Sequence, residues 1–158
     1  MVIDVNINGE AVLLEVEADE LLATALRRIG YQGLKRGCQD GSCGACTVLL
    51  DGMAVRSCLL FAVMADGHEV TTIEGLGTPS TPHPIHQAFV DHGAVQCGYC
   101  IPGMVLSAKA LLDENPWPSP REISEALDGN LCRCTGYVKQ IEAVLDARER
   151  LAAEQEEP

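Results

Sequence analysis

Residues 37–47 read Gly37-Cys38-Gln39-Asp40-Gly41-Ser42-Cys43-Gly44-Ala45-Cys46-Thr47. The three cysteines stand as C-x4-C-x2-C, and a fourth, Cys58, follows after eleven intervening residues. Those residues contain Asp51-Gly52, a two-residue turn signal between the strand-like runs Thr47 to Leu50 and Met53 to Ser57. A hairpin closed by that turn pairs Leu50 with Met53. Stepping outward along the two strands, Cys46 falls opposite Ser57, and Cys58 lands beside Cys46. Four thiols are thereby expected to converge on one place.

This is the plant-type ligand spacing of a 2Fe-2S cluster. Four thiolates around a ferric pair leave a net charge of about −2, which a partly buried site tolerates only with hydrogen-bond donors around it. Gly37, Gly41 and Gly44 are expected to supply them, adopting positive φ and turning backbone N–H groups toward the sulfurs. A structural zinc site usually draws two short C-x2-C pairs, whereas here three cysteines crowd one loop. Lys35 and Arg36 sit where they could shield the charge, and a solvated loop face explains them equally well.

Cys97, Cys100, Cys132 and Cys134 form a second set: C-x2-C, a gap of thirty-one residues, then C-x-C. Taken alone this spacing also suits zinc. Its placement is informative, because Cys100 precedes a helix expected to begin near Pro102 and Cys134 precedes one expected near Tyr137. Two helix N-termini facing one anionic centre would stabilise thiolates and lower their pKa. Arg133, between two of these cysteines, either offsets charge or faces solvent.

Outward from the cysteines, the first half reads as α+β. Val2, Asp4 and Asn6 alternate with Ile3, Val5 and Ile7, and Asn8-Gly9 then turns the chain into a second alternating run through Val12, Leu14 and Val16. From Glu20 the period becomes helical through Leu22, Ala25, Leu26 and Ile29, with Asp19 as candidate N-cap and Gly30 as the stop. Glu69 to Ile73 is a further short strand. Gly75, Gly77, Pro79, Pro82 and Pro84 then crowd a stretch read as a linker, giving modules at 1–76 and 77–158. Beyond it four short helices are expected: around Ile85, Ala88 and Phe89; Met104, Ala108, Leu111 and Leu112; Ile123, Ala126 and Leu127; and Val138, Ile141 and Leu145. The third carries Ser119 as N-cap, Pro120 at its first position and Glu122 for a capping box. Glu154 to Pro158 is expected to be a frayed tail.

Composition narrows the function. A length of 158 residues suits a module or subunit better than an enzyme that builds its own substrate pocket. The net charge of −12 repels phosphate backbones and anionic lipid, so proteins are the expected partners, with no nucleic acid and no membrane. The N-terminal residues lack a basic and apolar leader pattern, and no apolar run reaches a membrane span, so a cytoplasmic location is expected. Eight cysteines in that reducing compartment point to metal rather than disulfides. No Glu–His or Ser–His pair suited to acid–base or nucleophilic chemistry stands out, so no catalytic residue is assigned. His83, His86 and His92 read as linker or satisfied core histidines rather than ligands, and Trp117 as a packing or docking anchor.

Together with the first motif, Gln96-Cys97-Gly98-Tyr99-Cys100-Ile101-Pro102-Gly103 and Asn130-Leu131-Cys132-Arg133-Cys134-Thr135-Gly136-Tyr137 make the chain resemble a known family. It is similar to the small iron-sulfur subunit of molybdenum hydroxylases, the xanthine dehydrogenase superfamily with its aldehyde, carbon monoxide, nicotinate and isoquinoline oxidoreductases. The resemblance spans nearly the whole chain. It implies a β-grasp, plant-type ferredoxin-like domain followed by an all-α four-helix-bundle domain, with one 2Fe-2S cluster in each. It further implies an electron relay from a molybdopterin-type molybdenum cofactor on a large subunit, through the second cluster and then the first, to FAD on a medium subunit or to another acceptor. Gln96 would contact the pterin and Cys134 would lie near it. Ile101 stands where threonine is common, a change expected to affect only packing. Two competing readings are a free-standing two-cluster ferredoxin and a zinc-stapled interaction module.

Overall fold

The computed structural model describes residues 1–156. The strands are β1 (Val2–Ile7), β2 (Glu10–Glu15), β3 (Thr47–Leu50), β4 (Met53–Arg56) and β5 (Glu69–Thr71). The helices are α1 (Leu22–Arg28), α2 (Pro84–Asp91), α3 (Ile101–Glu114), α4 (Pro120–Leu127) and α5 (Val138–Glu156). The strands form one sheet in the order β2-β1-β5-β3-β4, in which β1 and β5 pair in parallel and the other neighbours antiparallel. Both hairpins close as their turn residues dictate: Asn8 and Gly9 have φ of 55° and 86°, and Asp51 and Gly52 have 49° and 81°. That doubly left-handed turn matches the twist of the flanking strands.

The alternation in β1 sends Ile3, Val5 and Ile7 inward, where they meet Leu22, Ala25 and Leu26 of α1 in the first core. β3 behaves differently. Val48 belongs to this core, while its neighbour Leu49 points through the other face into a second core built from α2 to α5. The run Thr47-Val48-Leu49 is buried throughout because α1 and α3 cover the sheet from opposite sides. The helical half is therefore docked on the sheet along β3.

Several local expectations need correction. α1 begins at Leu22 with Leu21 at the N-cap position, and Asp19 caps nothing. The preceding residues are instead drawn into pairing with the 60–62 segment: Leu22 N donates to Leu60 O at 2.8 Å, and Ala62 N donates to Glu20 O at 2.7 Å. The Gly/Pro-rich stretch is an ordered turn, closed by reciprocal backbone bonds of 3.1 Å between Thr78 and Thr81. It leads directly into α2, and His83 serves as that helix's N-cap, its Nδ1 accepting from Ile85 N at 3.3 Å. Two of the four helices are not short, α3 having 14 residues and α5 19. The sequence of α5 is rich in Ala, Leu, Glu, Gln and Arg, good helix formers, so it stays helical through Glu156 where fraying was expected. Residues 157–158, the rest of that expected tail, lie outside the described residues. The capping box at Ser119 and Glu122 forms as expected.

α2 and α5 are clamped at one end by charge. Arg150 reaches Asp91 at 2.8 Å and Asp146 at 2.6 Å, and His92 Nε2 lies 3.1 Å from Asp146. His92 is thus satisfied, as expected, but it caps the C-terminus of α2 partly exposed rather than sitting in the core. Among the described residues no helix is long and apolar enough to cross a membrane.

Candidate metal centres

The first cysteine set lies on the loop before β3 and just beyond β4. Register in the hairpin runs Leu50 with Met53 through Thr47 with Arg56, and Ser57 then binds Cys46 O through both its N–H (3.4 Å) and its hydroxyl (2.6 Å). Cys58 follows in a short 3-10 turn, and its thiol meets that of Cys46. The other pair forms inside the loop, where Cys38 and Cys43 hydrogen-bond through their thiols. Ala45 N points at Cys43 Sγ from 3.5 Å.

The three glycines play separate parts. Gly41 and Gly44 hold the expected positive φ, at 81° and 69°, but Gly37 does not. Gly37 offers its N–H to Cys43 and leaves room for that sulfur, which would lie 3.1 Å from an added Cβ. Gly44 is needed for packing as well as for turn geometry, since a Cβ there would collide with Gly129 O and Asn130.

The second set is assembled from distant elements. Cys100 is the N-cap residue of α3, and Cys132 and Cys134 lie on the loop that enters α5. Cys100 pairs with Cys132, and Cys97 lies 3.6 Å from Cys134, sulfur to sulfur. The inner pair is sheltered, with Cys100 buried and Cys132 half-buried, while Cys97 and Cys134 are exposed. Gln96 is exposed beside them, and so is Arg133.

Thiol acidity follows the surroundings. Backbone N–H groups of Cys43 and Asp40, together with the Cys43 thiol, lower Cys38 to about 7. Burial pushes Cys58 up to about 11 and Cys100 to about 12, each helped by its partner thiol. At Cys132 burial pulls upward, but hydrogen bonds from Thr135 and from Cys134 N outweigh it and hold the thiol at about 7. In each site one thiol is thus held low by hydrogen bonds and a more buried one is held high.

The two sites are joined at one seam. Leu131 N donates to Cys43 O at 2.9 Å, linking the residue before Cys132 to a cysteine of the first set. Buried Asn130 donates from Nδ2 to Gly44 O at 3.0 Å and to Thr47 Oγ1 at 3.3 Å, and its Oδ1 accepts from Ser107 at 2.7 Å. Arg56 donates to Gly129 O at 3.2 Å, and Tyr99 donates its hydroxyl proton to Arg36 O at 2.7 Å. The roles of Asn130, Arg56 and Tyr99 at this seam escaped the sequence reading. Asn130 and Tyr99 lie inside the quoted motifs, but polar residues near a metal loop carry no pattern that says which distant backbone they will meet. Trp117 packs under the Arg148 guanidinium, 5.3 Å from its ring centre, and ties the α3–α4 connection to α5.

The thiols come together in pairs, Cys38 with Cys43, Cys46 with Cys58, Cys97 with Cys134 and Cys100 with Cys132. A mononuclear tetrahedral site wants four sulfurs around one point, whereas a cluster of two bridged irons takes four thiolates in all. The paired donors, the small Gly37 and the N–H groups facing sulfur fit the binuclear group.

Comparison with known proteins agrees. Residues 5–71 match the family described as 2Fe-2S iron-sulfur cluster binding domain, and residues 72–145 the family described as 2Fe-2S binding domain. The chain is 48% identical over 151 residues to the nicotinate dehydrogenase small FeS subunit of Eubacterium barkeri, spanning 95% of this chain and 96% of that one. It is 50% identical over 146 residues to the nicotine 6-hydroxylase small subunit of Paenarthrobacter nicotinovorans, spanning 92% and 88%. In the crystal structure of quinoline 2-oxidoreductase from Pseudomonas putida 86, one chain superposes with a TM-score of 0.92 at 44% identity, spanning 100% of this chain and 98% of that one.

Proposed function

This chain belongs to the iron-sulfur subunits of the molybdenum hydroxylases, and from that premise we propose a division of labour among its cysteines. Cys38, Cys43, Cys46 and Cys58 hold the first 2Fe-2S cluster, and Cys97, Cys100, Cys132 and Cys134 hold the second. The protein is the electron-transfer subunit of a multi-subunit oxidoreductase whose partner subunits carry the molybdopterin cofactor and FAD. Bound in these sites, the clusters supply two one-electron acceptors in series.

The observation that carries this reading is the pairing of eight thiols into two four-sulfur sites joined by the Leu131 N to Cys43 O bond. The direction of transfer is the one the family resemblance implies, and exposure is compatible with it. Cys97 and Cys134 form the open edge of the second site, with Gln96 beside them; this is where the family resemblance puts the partner's pterin, with Gln96 as its contact. A carboxamide both donates and accepts, which suits a pterin edge. Cys100 and Cys132 are the sheltered pair, and Cys132 lies one residue beyond the link to Cys43. On the first site's side, Leu59, Phe61 and Met64 are exposed within six residues of Cys58 and offer an apolar surface to the flavin subunit. We place the division between the modules at residues 76 and 77, and the protein in the cytoplasm, where eight unpaired thiols persist.

Reductive titration of the native complex followed by electron paramagnetic resonance tests the assignment. Cys58→Ala should abolish one of two signals and Cys100→Ala the other. If each replacement removes both signals or neither, the two sets are not separate clusters.

A further inference from the structure

Gln140 lies in the first turn of α5 and is fully buried, a costly place for a carboxamide unless its polar atoms are used. Its Nε2 donates to Ala94 O at 3.2 Å and to Thr135 Oγ1, and it also lies 3.9 Å from Cys132 Sγ. Ala94 O fixes which end of the amide faces this way, because a carbonyl can only accept. Thr135 Oγ1 receives from Gln140 and sits 3.1 Å from Cys132 Sγ, so its own proton is free to point at the sulfur. Tyr137, three residues before Gln140, holds the same loop by accepting Cys132 N at its hydroxyl, 2.7 Å away. The amide's Oε1 is buried with no partner among the described residues. An orphaned buried acceptor is costly, so packing alone does not account for glutamine at this position.

We infer that Gln140 is a positioning residue for the second cluster: it orients the Thr135 hydroxyl as a hydrogen-bond donor to the Cys132 sulfur and so favours that cluster's reduced state. This rests on Cys132 being a cluster ligand. Reduction adds one electron to a centre that is already anionic, and a donor aimed at a ligand sulfur stabilises the added charge. With Gln140 lost, Thr135 is released to turn toward other acceptors and the donated bond is lost or lengthened.

The test is a potentiometric titration of the assembled complex, with the two clusters followed separately by electron paramagnetic resonance. Gln140→Leu and Thr135→Val should each lower the equilibrium constant for reducing the second cluster about threefold to tenfold, which is about 30–60 mV for one electron. The first cluster should not move. The double variant should shift no further than the larger single effect, since both replacements break one chain of bonds. Should Gln140→Leu fail to load iron, Gln140→Met fills the same space without a donor, and Thr135→Val reads the last bond directly. An unmoved second potential in iron-replete variants overturns the inference, as do equal shifts at both clusters or a fully additive double variant. If instead Cys132→Ser leaves the second signal unchanged in the otherwise wild-type complex, it is the ligand assignment that fails.

Discussion

The two cysteine sites reach the same grouping of four sulfurs by opposite routes. In the first, three cysteines fall within nine residues and a two-residue turn delivers the fourth. Its geometry is nearly all local. In the second, thirty-one residues separate the two halves, and only the packing of α2, α3 and α5 on a shared core brings them together. Local chain chemistry builds one site and tertiary packing builds the other, so substitutions at the two should fail in different ways.

Glycine replacement sharpens that contrast. Gly44→Ala places a side chain at φ 69° and drives its Cβ into Gly129 O and Asn130, at the seam between the sites. The expected loss is about 3 kcal/mol, read as a melting point lower by roughly 6–12 °C in the holoprotein. Iron release to a chelator should accelerate at both sites. Gly98→Ala adopts φ 81° at the second site but meets no atom within 4 Å. Its cost should stay near 1–2 kcal/mol, with iron release faster at the second site alone. Equal behaviour of the two variants would mean that Gly44 is only a turn residue.

What the sequence disclosed follows the same division. The hairpin arithmetic around Asp51-Gly52 placed Cys58 beside Cys46 because backbone pairing is periodic and its turn residues are diagnostic. The helices α2 to α5 were legible as apolar periodicity, and Ser119 with Glu122 as a cap. Legibility ended where a residue's role depends on a partner far along the chain. Asp19 read as a cap, yet backbone pairing with residues 60–62 delays the helix. His83 read as linker, yet it caps α2. Leu49 was visible as strand, but its burial against the helical core, on the face opposite Val48, was not. Asn130 and Gln140 look like ordinary polar residues until the fold sets Gly44 O beside one and Ala94 O beside the other. Gln96 is a separate case: it is exposed, and the pterin contact proposed for it rests on resemblance to a motif rather than on anything its neighbours dictate.

The smallest structural effect should come at that exposed edge. Gln96→Ala removes no sulfur and no buried bond, so both clusters, the melting point and dithionite reduction of the holoprotein should match wild type. Substrate-dependent reduction of the clusters in the assembled complex should slow, as judged by stopped-flow absorbance. A wild-type rate there would remove Gln96 from the contact with the pterin and leave the open edge of the second site without a defined recognition role.

Both halves of the comparison depend on each site holding two irons. Metal and sulfide analysis of the native protein, combined with spin counting after full reduction, measures this most directly. About four iron and four acid-labile sulfides per chain are expected, with two distinguishable paramagnetic centres of about one spin each. Zinc in place of iron, or a single centre integrating to one spin, would contradict it.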